Sequence, residues 1–283
     1  MIVRPRRSAL FMPASNVRAM EKARTLDCDV VILDLEDSVA PDLKTAARDQ
    51  AIVAAAAGGF GDRALFVRVN ALDTPWGADD CRAVADAGFE AVVLPKVSTP
   101  ADLEAARALL GTVPLWAMIE TCAGMLDLPA IAASARATGL EGLLAGTNDL
   151  AKEMRCTPGA ERTPLLGHLA MIVTAARAAG IAALDGVCNV IEDGAVLAAE
   201  CAQGAAFGFD GKSLIHPAQI AAANRAYGPT AEAIAWAGRI IAAFALPENA
   251  GKGAIRVEGE MVELLHLEQA RRIAMLAGSI TRS

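Results

Sequence analysis

The chain is poor in the residues from which zinc-thiolate, disulfide-stapled and nucleic-acid-binding proteins are made. It holds three histidines, His168, His216 and His266, and none stands at HxH or HExxH spacing. That argues against a zinc site built mainly from His and Cys. Six cysteines (Cys28, Cys81, Cys122, Cys156, Cys188, Cys201) are scattered with no CxxC pair. In a chain of 283 residues they read as reduced thiols of a cytoplasmic protein. No apolar run approaches the roughly 18 residues that a membrane helix needs. The stretch after the basic start Met1 to Arg7 is broken at Pro13, so no signal peptide is expected. A basic excess is also missing: 26 Lys and Arg face 33 Asp and Glu, giving a net charge of −7. This excludes a nucleic-acid partner as a first reading, although a few clustered arginines can still attract a small anion.

Apolar residues are abundant, at 54 % against 21 % charged, enough for a large core. Short apolar runs predict strands at 8–12, 30–35, 65–69, 91–94, 115–119, 142–145, 181–184 and 205–209. Stretches rich in Ala, Leu and Arg predict helices between them, including 16–25, 99–110, 167–179 and 193–201. Near-continuous apolar strands alternating with helices imply a parallel sheet covered on its outside. Eight such units suit a closed (β/α)8 TIM barrel better than an open doubly wound sheet. The barrel is expected to occupy residues 1–228. Residues 229–283 are read as a C-terminal helical extension: a helix at 230–246, a Gly-rich polar loop at 247–259 and a last helix near 264–277. It is expected to be too short for a core of its own.

In a barrel of this kind the chemistry sits at the C-terminal ends of the strands. Ionisable residues cluster at these predicted ends: Glu36, Asp37, Arg68, Lys96, Glu120, Asp149 and Asp185. Glu120 and Asp149 end neighbouring strands without a His or Cys nearby. Two such carboxylates suit a hard divalent cation with open water positions; Asp149 as a helix cap is the alternative. Arg68, flanked by Val67 and Val69, is expensive to bury unpaired and needs a carboxylate of substrate or protein, Glu36 or Asp37 being candidates. Asp34, Glu36 and Asp37 stand close enough to repel unless a cation or a shared proton intervenes. His216, before Pro217, reads as a structural hydrogen bonder rather than a base. Arg4, Arg6 and Arg7 either meet phosphates or keep the terminus soluble.

Seven motifs then appear in order: Arg7-Ser8-Ala9-Leu10-Phe11-Met12-Pro13, Leu33-Asp34-Leu35-Glu36-Asp37-Ser38-Val39, Val67-Arg68-Val69-Asn70, Leu94-Pro95-Lys96, Ile119-Glu120-Thr121, Gly146-Thr147-Asn148-Asp149-Leu150, and Gly208-Phe209-Asp210-Gly211-Lys212 through His216-Pro217. Together they resemble the citrate lyase beta-subunit-like family of the HpcH/HpaI aldolase superfamily, well over residues 1 to 228 and loosely beyond. The resemblance implies a Mg2+-dependent lyase that cleaves a 3-hydroxyacyl-CoA thioester of the citryl-, citramalyl- or malyl-CoA type to acetyl-CoA and a keto acid. It implies Glu120 and Asp149 as metal ligands and Arg68 and Glu36 as catalytic residues; substrate contacts are expected from Arg68 and from the charged Arg7, Asp37 and Lys96. Family members are typically trimers or larger, with the C-terminal segment over a neighbour's site. Related lyases carry an Asp after a Gly-x-Met turn of that segment; here Gly259-Glu260-Met261-Val262 is followed by Glu263, which the resemblance implies as proton donor to the enolate in a neighbouring subunit's site. Ala14 also stands where the family often has Gly. Two alternatives remain: a CoA-independent aldolase that makes pyruvate from a 2-keto-4-hydroxy acid, and a citrate lyase complex subunit that acts on a carrier-protein thioester.

Overall fold

Strand alternation builds the architecture. In the computed structural model, which describes residues 4–280, β2 (Val30–Asp34) and β3 (Ala64–Arg68) are buried on both faces. Val30, Ile32, Ala64 and Phe66 join one apolar cluster, whereas Val31, Leu33, Leu65 and Val67 join another. The first cluster is the barrel interior, completed by Ala91, Val93, Trp116, Met118, Leu144 and Leu184. The second is the layer between strands and helices, and it is much the larger. A strand buried on both faces has no polar side to show water, which is why the sequence reads as continuous apolar runs.

The other strands are β1 (Ser8–Pro13), β4 (Ala91–Leu94), β5 (Leu115–Ile119), β6 (Leu140–Ala145), β7 (Ala182–Asp185) and β8 (Gly211–Leu214). All neighbours are parallel, and Ser8 to Leu10 of β1 pair with Lys212 to Leu214 of β8 to close the barrel. This is the (β/α)8 barrel that the strand and helix alternation predicts. Between β5 and β6 the register shifts by one residue, bringing Gly142 opposite Trp116. A Cβ at Gly142 would collide with the indole ring, so glycine makes room for the largest interior side chain.

One strand lies elsewhere than expected. The run 205–209 is not a strand: Ala205 to Phe207 finish the helix Gly194–Phe207, which stops at Gly208 with φ +93°. The eighth strand is Gly211–Leu214 and carries a fully buried Lys212. Its outward face carries the charge of Lys212 beside the aliphatic Leu214. Lys212 Nζ lies 3.0 Å from Asp185 and 2.9 Å from Glu200, and Arg162 Nη1 lies 2.7 Å from Asp185. Asp185 was expected among the carboxylates of the barrel mouth; instead it points outward and serves this network. Gly204 contributes the space, since a Cβ there would meet Asp185 and the Tyr227 hydroxyl.

The chain divides into two compact units, Arg6–Tyr227 and a second built from Gly228 onward. The second unit has a core of its own, contrary to expectation: Ala237, Ile240, Ile255, Val262, Leu267 and Ala270 pack together. The expected loop at 247–259 contains β9 (Ala254–Val257), which pairs antiparallel with β10 (Glu260–Glu263) between the helices Ala231–Ala245 and Leu264–Ile280. Ile255 and Val262, on the hairpin's inner face, supply the apolar contacts that make so short a unit compact. Among the described residues no helix is long and apolar enough to cross a membrane.

The buried network balances two acids against two bases. Lys212→Met removes one cation and leaves Asp185 and Glu200 sharing Arg162. The expected loss is about 3–5 kcal/mol in urea unfolding with an unchanged slope; a loss below about 1 kcal/mol would show that the network contributes little.

Candidate active site

The register of β2 and β3 sets Asp34 directly beside Arg68 on the interior face. Arg68 Nε and Nη2 each donate to Asp34 at 2.7 Å, a two-point pairing of planar groups. The Asp34 carboxylate also accepts from the backbone N–H of Glu36 at 2.9 Å and of Ser38 at 3.2 Å. Burial pushes its pKa up, but the charge and hydrogen bonds of Arg68 outweigh that and hold it below the usual carboxylate range. Arg68 itself, although buried, is held cationic by Asp34 and Glu36. It faces inward and its principal partner is Asp34, not Glu36 or Asp37. The signal was available: counting by twos from Ile32 puts Asp34 on the inner face, one strand from Arg68.

The third guanidinium nitrogen, Nη1, lies 2.6 Å from Glu36 Oε2 and 3.7 Å from Asp37 Oδ2. Glu36 is buried and Asp37 is exposed. Burial pushes the Glu36 pKa from 4.5 up to about 7, with Arg68 opposing and Glu120 and Asp37 reinforcing. The turn carrying Glu36 is held from below by a residue that sequence reasoning missed. Lys44 is buried, and its Nζ donates to the carbonyls of Leu35 at 2.9 Å and Glu36 at 2.8 Å. Burial lowers its pKa. No sequence pattern marks a lysine whose partners are backbone carbonyls.

Across the mouth stands Glu120, directly after β5 and 2 % exposed. Its Oε1 accepts from the Lys96 backbone N–H at 2.8 Å, and burial raises its pKa. Gly146 makes its position possible, because a Cβ there would overlap the Glu120 side chain. Asp149 lies in the first turn of the helix Thr147–Met154, whose N-cap is Gly146 with no side-chain cap bond. Asp149 therefore does not cap; its carboxylate contacts Lys96 Nζ. Lys96 Nζ is also 3.5 Å from Glu120 and 4.0 Å from Glu36. Arg68, Glu120, Asp149, Asp34 and Asp37 line one cavity of about 330 Å³, with Phe11, Met118, Val187 and Ile215 as apolar wall.

Glu36, Asp37, Arg68, Lys96, Glu120 and Asp149 are thus brought together at the C-terminal mouth of the barrel. Arg7 is not. It precedes β1, at the opposite end, where its guanidinium grips Asp29 at 2.7 and 2.9 Å just before β2. Chain direction forbids it from reaching the mouth, so it leaves the substrate-binding set. Arg6 stacks instead over Phe66 and Trp116, 4.9 and 5.5 Å from their ring centres. His216 Nδ1 accepts from the Ala218 N–H at 3.2 Å and starts a 3-10 turn, a structural role. Glu263 ends β10 of the second unit, where its N–H donates to His266 Nδ1 at 3.0 Å.

The donor set suits a hard divalent cation. Glu120 and Asp149 present carboxylate oxygens to one cationic group, the ammonium of Lys96, and Gly146 leaves room beside Glu120. Among the described residues no three His, Cys, Asp or Glu side chains form a closed cage. A carboxylate pair that leaves positions to water and substrate is a common Mg2+ arrangement.

The raised pKa of Glu36 carries a sign. The folded state binds its proton more tightly, so this contribution to stability is full below about 4.5 and is lost as the pH rises through about 7. In metal-free buffer with chelator, the Tm of the wild type relative to Glu36→Gln is expected to fall across that window. Parallel melting curves would remove the buried-acid assignment.

The chain matches the family HpcH/HpaI aldolase/citrate lyase over residues 7–217. It is 46 % identical over 98 % of its length to a (3S)-malyl-CoA thioesterase of Cereibacter sphaeroides, covering 96 % of that protein. It is 31 % identical over 98 % of its length to the human mitochondrial citramalyl-CoA lyase, covering 86 % of it. The crystal structure of the protein CitE from Mycobacterium tuberculosis, in complex with magnesium, acetoacetate and coenzyme A, superposes with a TM-score of 0.77 at 34 % identity, over 97 % of this chain and 98 % of that one. The chain belongs to the HpcH/HpaI aldolase/citrate lyase family.

Proposed function

We propose that this enzyme is a Mg2+-dependent lyase that cleaves the carbon–carbon bond of a 3-hydroxyacyl-CoA thioester to acetyl-CoA and a keto acid. The supporting observation is one cavity that holds a pinned guanidinium, Arg68, and a carboxylate pair, Glu120 and Asp149. Glu120 and Asp149 would hold the metal. Bound Mg2+ supplies Lewis acidity toward the oxygens of the hydroxyl and carboxylate ends of the substrate. The C3 hydroxyl gives its proton to solvent water as its oxygen becomes the carbonyl of the keto acid, and breaking the bond between C2 and C3 of the acyl group leaves that bond's electron pair on C2, conjugated with the thioester carbonyl. Arg68 offsets the negative charge that develops on that carbonyl oxygen. It is preorganised for this, because Asp34 and Glu36 fix its orientation before substrate arrives. Lys96 and Asp37, at the rim, would contact substrate. Glu263 from the C-terminal segment of a neighbouring subunit is assigned the proton that converts the enolate to acetyl-CoA. Its side chain is one methylene longer than the Asp of related lyases.

Hydrolysis of the thioester is a second reading, favoured by the 46 % identity to proteins named (3S)-malyl-CoA thioesterase. The two differ in bond and product. Cleavage between carbons leaves the thioester intact in acetyl-CoA; hydrolysis breaks the carbon–sulfur bond and frees the CoA thiol.

Purified protein with Mg2+ and malyl- or citramalyl-CoA is expected to form acetyl-CoA, read by chromatography, without thiol detectable by Ellman's reagent. Thiol release without acetyl-CoA moves the function to hydrolysis, and no turnover of any 3-hydroxyacyl-CoA rejects the proposal. Glu120→Gln and Asp149→Asn are each expected to abolish Mg2+ binding by calorimetry and cleavage with it. Arg68→Met should lower kcat about 10²–10³-fold with Mg2+ affinity retained. Glu263→Gln should lower kcat at unchanged Mg2+ affinity; wild-type turnover would release Glu263 from the proton-transfer role.

A further inference from the structure

Lys96 is built into the site by both its backbone and its side chain. It stands two residues beyond β4 with φ +57°, a left-handed conformation uncommon for a residue with a Cβ. In that conformation its N–H donates to Glu120 Oε1 while its side chain reaches Asp149, so one residue touches both members of the carboxylate pair. Its ammonium is the point where carboxylates following β2, β5 and β6 meet: Glu36 at 4.0 Å, Glu120 at 3.5 Å and Asp149 in contact. Arg68 cannot take this place, because Asp34 clamps it by two nitrogens.

We propose that Lys96 is a built-in counter-ion that competes with the divalent metal for Glu120 and Asp149, so that metal loading is an exchange of one cation for another. The inference rests on Glu120 and Asp149 being the metal ligands. A monovalent ammonium and a divalent ion cannot both lie within a few ångströms of the same two carboxylates without strong mutual repulsion. The ammonium is the one free to leave: its side chain is 35 % exposed, and lysine is a well-hydrated point charge on a flexible stem. Until it leaves, it neutralises acids that would otherwise repel across the mouth, and it keeps Glu120 and Asp149 aimed at one point. The backbone N–H to Glu120 is independent of the side chain, so Glu120 stays in place after the exchange. Two consequences follow. The metal affinity of the wild type is lower than the carboxylates alone would give, and the metal-free protein depends on the ammonium for part of its stability.

Calorimetric titration of Mg2+ into chelator-stripped wild type, Lys96→Gln and Lys96→Arg tests this, with thermal melts in chelator and in saturating Mg2+. Lys96→Gln is expected to bind Mg2+ about tenfold or more tightly than wild type. It should melt lower than wild type in chelator and converge with it in Mg2+; Lys96→Arg, which keeps the charge, should bind as weakly as wild type or more weakly. In wild-type protein with 13C-methylated lysines, the resonance missing from Lys96→Arg should shift as Mg2+ is added, a readout that does not depend on Lys96→Gln folding. A folded Lys96→Gln with wild-type affinity, or a Lys96 resonance that ignores Mg2+, overturns the exchange alone. A wild type that binds no Mg2+ overturns the ligand assignment and the exchange together.

Discussion

The pairing of Arg68 with Asp34 at the barrel mouth is the interaction around which the other charges are placed. An unpaired guanidinium in this interior would be prohibitively costly, and an unpaired Asp34 equally so. Together they satisfy each other and leave one guanidinium nitrogen directed at Glu36. Every further carboxylate at the mouth then lacks a dedicated cation. Glu36 responds by holding its proton up to about pH 7, and Glu120 by a pKa raised through burial. Lys96 supplies a positive charge that reaches Glu36, Glu120 and Asp149 at once. An acid-rich pocket with a partly exposed ammonium suits the proposed exchange of that ammonium for a divalent ion.

Period-two alternation separates chemistry from scaffold within single strands. Asp34 and Arg68 lie on the interior face at the ends of β2 and β3 and serve the cavity. Asp185, at the end of β7, faces the other way and is tied up by Arg162 and Lys212 between the strands and the helices. A shift of one residue in β7 would have added another acid to the mouth. Aspartates that end barrel strands thus serve the cavity or the scaffold according to the parity of their position.

Much of the fold was legible because barrel strands are buried on both faces and read as apolar runs. Seven of the eight expected runs overlap an observed strand, with ends shifted by at most two residues. The eighth failed for a physical reason: Gly211–Leu214 hides a lysine, so the strand carries polarity where a core strand normally has none, while the preceding Ala205 to Phe207 looks apolar and is helix. The hairpin at Ala254–Val257 was hidden by its glycines and charges, which suit a loop equally well. In the candidate site, Glu36, Arg68, Lys96, Glu120 and Asp149 stood out as ionisable residues at strand ends. Asp34 was seen but not paired with Arg68, Lys44 left no trace because it binds backbone carbonyls, and Arg7 was assigned to the mouth by charge although it enters the barrel from the other end.

The sequence by itself determined the barrel, the family and the set of ionisable groups at its mouth, because these depend on local periodicity and residue type. The tertiary structure decided which groups meet: Arg68 with Asp34, Lys96 among three carboxylates, Lys44 under Glu36, Asp185 and Lys212 outside the barrel wall. Those pairings join residues on different strands and connections, and they depend on strand register and barrel closure, which bring together side chains far apart in the chain.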